Sequence, residues 1–520
     1  MKKTIQKLMA ALLAVAMVCA MAIPAFADDT KENIQDHNSF SGFQIFKGDV
    51  EGNKISNVQW GENIPDDKDF LDKLKKDPTI GGKFETASTV QDVLAAISTW
   101  SDSDDYSIAF ARFVCKYLYP NANAKPKPFV ESNHSLTFSQ AGYYLIVDTT
   151  YFNPGDSYHA YNSFMLKVTQ ANYVFDVTPK VEKPSVKKEV YDNQDGTSNK
   201  AGFGSSADHA INEEFQFRLT ATLPASDARV YDYYDEYMVT FCDTLSDGIT
   251  FDKLDTVEIT NGDGSTPQVI NNYTLDPNDP QSSFKLSIDN VKTCVPDLNK
   301  GATITVTYTA HLNENAYVNT AGGDTKNNNS VYLQYSNNPI NTSVGQTPES
   351  KVCVYTYQLN NTKHQDSENG PVLEGAGFRL YSDKACNDKD EIKLYQDGKF
   401  YYPIKDATGK TAVEMKSADD GTFNVKGLDA GTYYLRETTT PKDYSACPDT
   451  TIVISATHDV YNVSLSGESN LNNKIINKKA GGITLPSTGG MGTTLFYVIG
   501  GGLMVAAIVL LVTKKRMENK

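Results

Sequence analysis

Phe215-Gln216-Phe217-Arg218-Leu219-Thr220-Ala221 alternates apolar and polar side chains without a break. A period of two puts one set of residues on each face of a pleated chain, so the stretch reads as a half-buried β-strand. The pattern continues outward from it. Tyr237-Met238-Val239-Thr240-Phe241 alternates in the same way, and Ala302 to His311 is a longer run of the same kind. Along the chain, short apolar runs rich in Tyr, Thr and Val are punctuated by Gly, Asn and Asp. This predicts an all-β architecture of sandwiches in tandem. At about 100–200 residues per domain, the length allows about three such units once both ends are set aside.

The two ends follow other rules. Met1-Lys2-Lys3 with Lys7 gives a positive start, Leu8 to Ile23 an apolar core, and Ala25-Phe26-Ala27 a small-x-small cleavage site. Residues 1–27 therefore read as a secretory signal peptide, removed after Ala27. Residues 484–520 hold Leu485-Pro486-Ser487-Thr488-Gly489, an uncharged run from Thr494 to Thr513, and the basic cluster Lys514-Lys515-Arg516. The run is long enough to cross a bilayer as a helix, and the cluster stays cytoplasmic. With the pentapeptide ahead of it, this segment resembles the LPxTG sorting signal of Gram-positive surface proteins. The resemblance implies that a sortase cysteine attacks the Thr488 carbonyl, releases Gly489 onward and holds the chain as a thioester.

The exported part is acidic. The signal carries three lysines and the tail a net of three positive charges, so the formal −16 of the whole chain becomes −22 for residues 28–488. That surface argues against nucleic acid and suits a soluble extracellular rod. Cys19 leaves with the signal, and the six cysteines that remain show no metal-type CxxC spacing, so no metal and no cofactor is expected. Cys386 and Cys447 fall in one unit and are expected to bridge in an exported chain, with Cys242–Cys294 a weaker pairing. Cys115 lies beside an apolar stripe and reads as a buried thiol.

Residues 28–180 form the first unit. Phe43 to Phe46 and Val58 to Gly61 read as strands, but Asp69 to Lys76 and Val90 to Leu118 carry apolar residues at helical spacing. These predict helical insertions in a β domain. Strands resume at Gly142 to Asp148 and end at Tyr173 to Lys180. The last stretch resembles the WxxxVxVYPK pilin motif of sortase-assembled pili: Val177, Pro179 and Lys180 match, while Ala171, Phe175 and Thr178 depart. It precedes the stiff connector Val181-Glu182-Lys183-Pro184. The resemblance implies that Lys180 is the amine that resolves the thioester.

Residues 181–350 open with Pro184 to Val190. Asp243-Thr244-Leu245-Ser246-Asp247-Gly248-Ile249-Thr250-Phe251 and Asn329 to Pro339 resemble the DTLxxGLTF and NxVxLxYSNNP segments of pilin domains. In that family a lysine of the first strand bonds an asparagine of the last, aided by a buried acid. The resemblance implies Lys188, Asn329 and Asp243. The pair Lys187-Lys188 and the triplet Asn327-Asn328-Asn329 leave the register open; alternation favours Lys188 with Val186 and Val190, and Asn329 with Val331 and Leu333.

Residues 351–483 resemble a Cna-B-type domain. Leu373 to Tyr381 matches LxGAxFxLY, and Tyr433 to Tyr444 matches the E-box YxLxETxAPxGY, with Thr440 and Asp443 departing. Ile475-Ile476-Asn477 supplies the closing asparagine. The implied set is Lys363, Asn477 and Glu437. Gly142 to Asp148 echoes Gly431 to Glu437, so the first unit looks like a relative whose acid is Asp148; with no asparagine in its final strand, no bond is assigned there.

Taken together, the resemblance is to the backbone subunit of a sortase-assembled pilus, built of tandem immunoglobulin-like (Cna-B/Cna-A-like) sandwiches. It implies identical subunits as covalent partners, with a class C pilin sortase, a housekeeping sortase, minor pilins and peptidoglycan. A monomeric wall-anchored adhesin or tip pilin would need the sorting signal but not Lys180. An anchored hydrolase is disfavoured, because no Ser-His-Asp, Cys-His or paired-carboxylate constellation stands out.

Overall fold

A computed structural model describes residues 39–480, apart from 52–53, 101–104, 122, 134, 150–162, 178–182, 194–200, 227–228, 278–282, 320–324, 341–342, 406–408 and 468, together with residue 514. The signal peptide, Lys180, the Leu485–Gly489 pentapeptide and the apolar run at 494–513 lie outside the described residues. Among the described residues, no helix is long and apolar enough to cross a membrane.

The first unit is organised around strand Gly142–Asp148, buried along its whole length. It pairs antiparallel with Phe40–Glu51 and with Phe164–Val168. Its alternate residues feed two cores. Tyr143, Leu145 and Val147 pack with Phe70, Phe110 and Val114 on one face. Tyr144 and Ile146 pack with Leu136, Phe138 and Val168 on the other. Three helices, Asp67–Lys75, Val90–Ile97 and Asp105–Leu118, cover the first face, and the paired strands Ser135–Phe138 and Tyr173–Asp176 cover the second. The periodic stretch from Val90 is thus two helices. The first is closed at its start by a capping box between Thr89 and Asp92, and it buries Val90, Val93, Leu94 and Ile97.

The middle unit is a sandwich. Ser185–Asp192, Glu214–Leu223, Ala302–Leu312 and Ile249–Asn261 form one sheet; Phe284–Ile288, Val239–Leu245, Asn328–Ser336 and Ser350–Tyr355 form the other. Phe217 lies opposite Tyr308, and Leu219 opposite Val306, so the inner row of Ala302–Leu312 faces Phe241, Leu286, Val331 and Leu333 across the core. Ser350–Tyr355 pairs with Asn328–Ser336, and Ser206–Asp208 pairs with it in parallel. Residues 351–355 are therefore shared: they pair in the middle sheet, while Cys353 and Tyr355 pack into the core of the C-terminal unit. Their apolar residues Val352 and Val354 fill the middle core.

The C-terminal unit is a second sandwich, with Tyr357–Gln365, Asn472–Lys479 and Asn424–Leu428 facing Gly377–Tyr381, Gly431–Thr439 and Thr450–Ile454. Phe378 and Phe423 stack with centroids 4.4 Å apart in its core. The two sandwiches meet closely. Gly427, at φ +82, brings its backbone against Ile211, where a Cβ would lie 2.5 Å from the isoleucine side chain. Nearby, His458 inserts between middle-unit side chains, with Nδ1 2.9 Å from Ser206 Oγ and Nε2 3.3 Å from Asp192 and 3.6 Å from Asp208. Burial alone would lower the imidazole pKa, but the two carboxylates carry it up to about 9. The imidazolium then offsets two buried negative charges.

Candidate cross-linking sites

In the middle unit Lys188 lies opposite Leu219, on the inward row of its sheet. On the facing sheet Asn329 lies opposite Leu245, and Asp243, two residues earlier on the Leu245 strand, turns to the same face. Lys188 is 2 % exposed, and Asp243 and Asn329 are fully buried. Lys188 Nζ forms an ion pair with Asp243 Oδ2. It also donates to Tyr308 Oη at 3.0 Å. The phenol in turn donates to Asp243 Oδ1 at 3.2 Å and accepts from Asn329 Nδ2 at 2.6 Å. Asn329 Oδ1 is buried with no hydrogen-bond partner among the described residues.

The rings of Phe217 and Tyr308 lie 5.2 and 5.3 Å from the ammonium. Burial brings Lys188 down to about 8 against the attraction of Asp243. The same burial raises the Asp243 pKa against Lys188. Both shifts favour the neutral pair, amine beside acid.

Residues adjacent in sequence are engaged elsewhere. Lys187 is exposed and pairs with Glu189 at 2.6 Å. Asn327 bonds the backbone of Tyr317 and Val354, and Asn328 bonds Lys326 O. Tyr308 was not identified by sequence reasoning. Its signal was there: it is the phenol on the otherwise aliphatic inner row Ala302, Ile304, Val306, Ala310, and a buried phenol needs a polar partner.

In the C-terminal unit, Tyr357–Gln365 and Asn472–Lys479 run parallel, with Gln365 opposite Asn477 and Lys363 opposite Ile475. Lys363 and Asn477 are fully buried. Lys363 Nζ donates to Asn477 Oδ1 at 2.6 Å, and Asn477 Nδ2 donates to Glu437 Oε1 at 2.6 Å. Glu437 reaches in from the facing sheet, and its Oε2 accepts from the Cys447 N–H at 2.7 Å. Burial lowers the Lys363 pKa, opposed by Cys447 and Glu437. At neither site does the acid touch the asparagine carbonyl. In one the carbonyl faces the lysine; in the other a phenol stands between acid and amide.

The Cys386–Cys447 bridge is corrected, since both are free thiols. The reason is the alternation of strand Gly431–Thr439. Arg436 and Glu437 point to opposite faces. Cys386 sits by Arg436, whose Nη1 donates to Cys386 O at 3.3 Å, with its Sγ 3.9 Å from Asp449 Oδ2. Cys447 sits by Glu437 on the other face, where burial pushes its thiol up to about 12. The weaker Cys242–Cys294 pairing also spans a sheet. Cys242 lies on the outer row beside inward Phe241, whereas Cys294 packs against the inner core. Cys115 is buried in helix Asp105–Leu118, and burial raises its thiol to about 12. Asp148 is buried opposite Phe40.

Two family models match the chain: a SpaA prealbumin-like fold domain over residues 359–469 and an LPXTG cell wall anchor motif over residues 477–519. No curated protein sequence matches it. Among solved structures, it is similar to the T6 backbone pilin of serotype M6 Streptococcus pyogenes at 17 % identity and a TM-score of 0.48, covering 86 % of this chain and 97 % of that one. The full-length major pilin SpaD of Corynebacterium diphtheriae follows at 19 % identity and 0.41, covering 70 % and 88 %. A 35 kDa C-terminal fragment of the major pilin GBS80 of Streptococcus agalactiae shares 23 % identity at 0.38, covering 57 % and 100 %. By the two family models, the chain is a cell-wall-anchored surface protein of a Gram-positive bacterium, carrying a prealbumin-like domain ahead of an LPXTG anchor motif.

Proposed function

We propose that the chain is the backbone subunit of a sortase-assembled pilus, clamped internally by two lysine–asparagine isopeptide bonds. The observation that carries the reading is the repeated lysine–asparagine–acid cluster, buried in two successive β units of a chain that ends in a wall-anchor motif. An amine attacks an amide only when neutral, and burial lowers the pKa of both lysines. Folding supplies the proximity, so each bond forms once, as self-modification. Ammonia leaves, and Lys188 is joined to Asn329 and Lys363 to Asn477. Tension along the fibre then runs through covalent links inside the middle and C-terminal units.

Between subunits, a pilin sortase would join Thr488 of one chain to the Lys180 Nζ of the next, with a housekeeping sortase attaching the base to peptidoglycan. The test is an immunoblot of cell-wall extracts. Wild type should give an SDS-resistant ladder, and Lys180→Ala should leave only anchored monomer. Undiminished polymers in that variant would move the acceptor to another lysine. A wild-type extract without any ladder would leave a monomeric wall-anchored adhesin.

A further inference from the structure

We propose that Tyr308 is a catalytic residue of the middle-unit cross-link: its phenol passes the proton that lets ammonia leave Asn329. This rests on the proposed Lys188–Asn329 bond and adds a step to it. Neither the sorting motif nor the lysine–asparagine–acid pattern includes a tyrosine.

The geometry poses a problem that only the phenol solves. Amide nitrogen leaves as ammonia only when protonated. At the C-terminal site Glu437 Oε1 touches Asn477 Nδ2 directly, at 2.6 Å. At the middle site Asp243 faces Lys188, and the group on Asn329 Nδ2 is Tyr308 Oη, also at 2.6 Å. The phenol is bonded to all three reactants: it accepts from Lys188 and Asn329 and donates to Asp243. Rings of Phe217, Phe251 and Phe284 pack around it at 5.2, 5.5 and 5.2 Å, which fixes its orientation and keeps solvent from supplying the proton.

The step balances. Lys188 starts as an ammonium beside the Asp243 carboxylate, and a first proton passes to Asp243. The free Nζ attacks Asn329 Cγ, the new C–N bond forms, and the carbonyl electron pair moves to Oδ1. As the Oδ1 electron pair returns to re-form the carbonyl and the C–N bond to Nδ2 breaks, the phenol gives its proton to Nδ2 and takes one back from Asp243. The carboxylate so freed accepts the second proton from the attacking Nζ. Of the three Nζ hydrogens, one remains on the new amide, one leaves in ammonia, and one stays on Asp243. The acid ends neutral and the phenol ends as it began.

The test uses the exported chain, recovered unfolded and uncross-linked, then refolded and quenched at intervals for intact-mass measurement. Wild type should lose two ammonias, about 17 Da each. In Tyr308→Phe, which keeps the ring, the C-terminal loss should proceed unchanged while the middle loss slows by about 10²–10⁴-fold, the usual worth of a positioned acid–base group. A fluorinated tyrosine placed at 308 has a more acidic phenol and nearly the same shape. It should change the rate at the middle site alone, an effect that a packing role would not produce. Middle-site loss at the wild-type rate in Tyr308→Phe, or an unchanged rate with the fluorinated phenol, overturns the proposal. A wild-type chain that never loses the middle ammonia overturns the cross-link itself, and the wild-type mass alone reports that separately.

Discussion

The middle and C-terminal sites use the same residue types on different scaffolds. In the C-terminal unit Lys363 and Asn477 sit on neighbouring parallel strands of one sheet, and the acid arrives from the facing sheet. In the middle unit Lys188 belongs to one sheet, while Asn329 and Asp243 belong to the other. The proposed bond there would staple the two layers through the core; the proposed C-terminal bond would fasten two strands side by side. Nor does Asn329 lie on the last strand of its unit, since Ser350–Tyr355 follows it in the same sheet. The lesson is that topology decides which partner the acid touches. With the acid across the core from the strand pair, it reaches the amide nitrogen. With the acid beside the asparagine strand and across from the lysine, it reaches the amine, and another group must serve the amide.

That difference predicts unequal losses when the acids are removed. Asp243→Ala should be the most damaging change. It abolishes the middle bond, a clip over a long loop worth about 4.7 kcal/mol for about 100 residues in the chain-entropy model. It also leaves Lys188 buried without its charge partner, at about 3–5 kcal/mol more. Against a domain stability of about 5–15 kcal/mol, the middle unit should be marginal or unfolded, seen as a separate early transition on heating. Glu437→Ala should cost about 4–5 kcal/mol for the bond, with a smaller further loss from the Asn477 Nδ2 and Cys447 N–H donors it leaves unpaired; Lys363 keeps its contact with Asn477 Oδ1. Each variant should retain one ammonia mass while the other unit still loses its own, the sites being in separate units. Equal losses in the two variants would mean that the buried ion pair has no distinct role.

A smaller effect separates the sites by pH. In Asn329→Ala no bond forms, and Lys188 keeps a folded-state pKa of about 8, below its unfolded value near 10.4. A depressed lysine means that the unfolded chain binds more protons, so stability rises with pH. The variant should therefore gain stability from about pH 8 to about pH 10.4, measured by denaturant midpoints. The wild-type chain, whose Nζ is then an amide, should show no such rise from this group. A flat profile in the variant would place Lys188 in a wetter site than its burial implies.

Much of this was legible in the sequence, for a physical reason. Alternation fixes which residues face inward, so Lys188 over Lys187 and Asn329 over Asn328 follow from Val190 and Val331 alone. The strands and the helices of the first unit could be read that way; the two site triads rested on the resemblance to pilin domains, with alternation choosing between neighbours only in the middle unit. What could not be read depends on which strand lies beside which. The place of Ser350–Tyr355 in the middle sheet, the facing of Lys188 and Asn329 across the two sheets and the contacts of Tyr308 are all set by pairing between distant segments. The cysteine pairing failed on the same ground: shared membership of a unit does not place two side chains on the same face.

The thiols give the last and smallest prediction, and it bears on the C-terminal site directly. As folded, Cys447 donates its N–H to Glu437 Oε2 on one face, while Cys386 sits by Arg436 on the other. A bridge would need Cys447 to cross to the Arg436 side, which would pull its N–H from Glu437 and release the acid from Asn477. The bridge and the cross-link geometry therefore exclude each other. Chain purified without reductant should alkylate at both Cys386 and Cys447 once unfolded, and adding reductant should leave the unfolding temperature unchanged. Forcing oxidation during refolding should slow loss of the C-terminal ammonia and leave the middle loss untouched. A single molecule found with both a Cys386–Cys447 bridge and an intact Lys363–Asn477 bond would break the argument, since one strand cannot present both arrangements at Glu437.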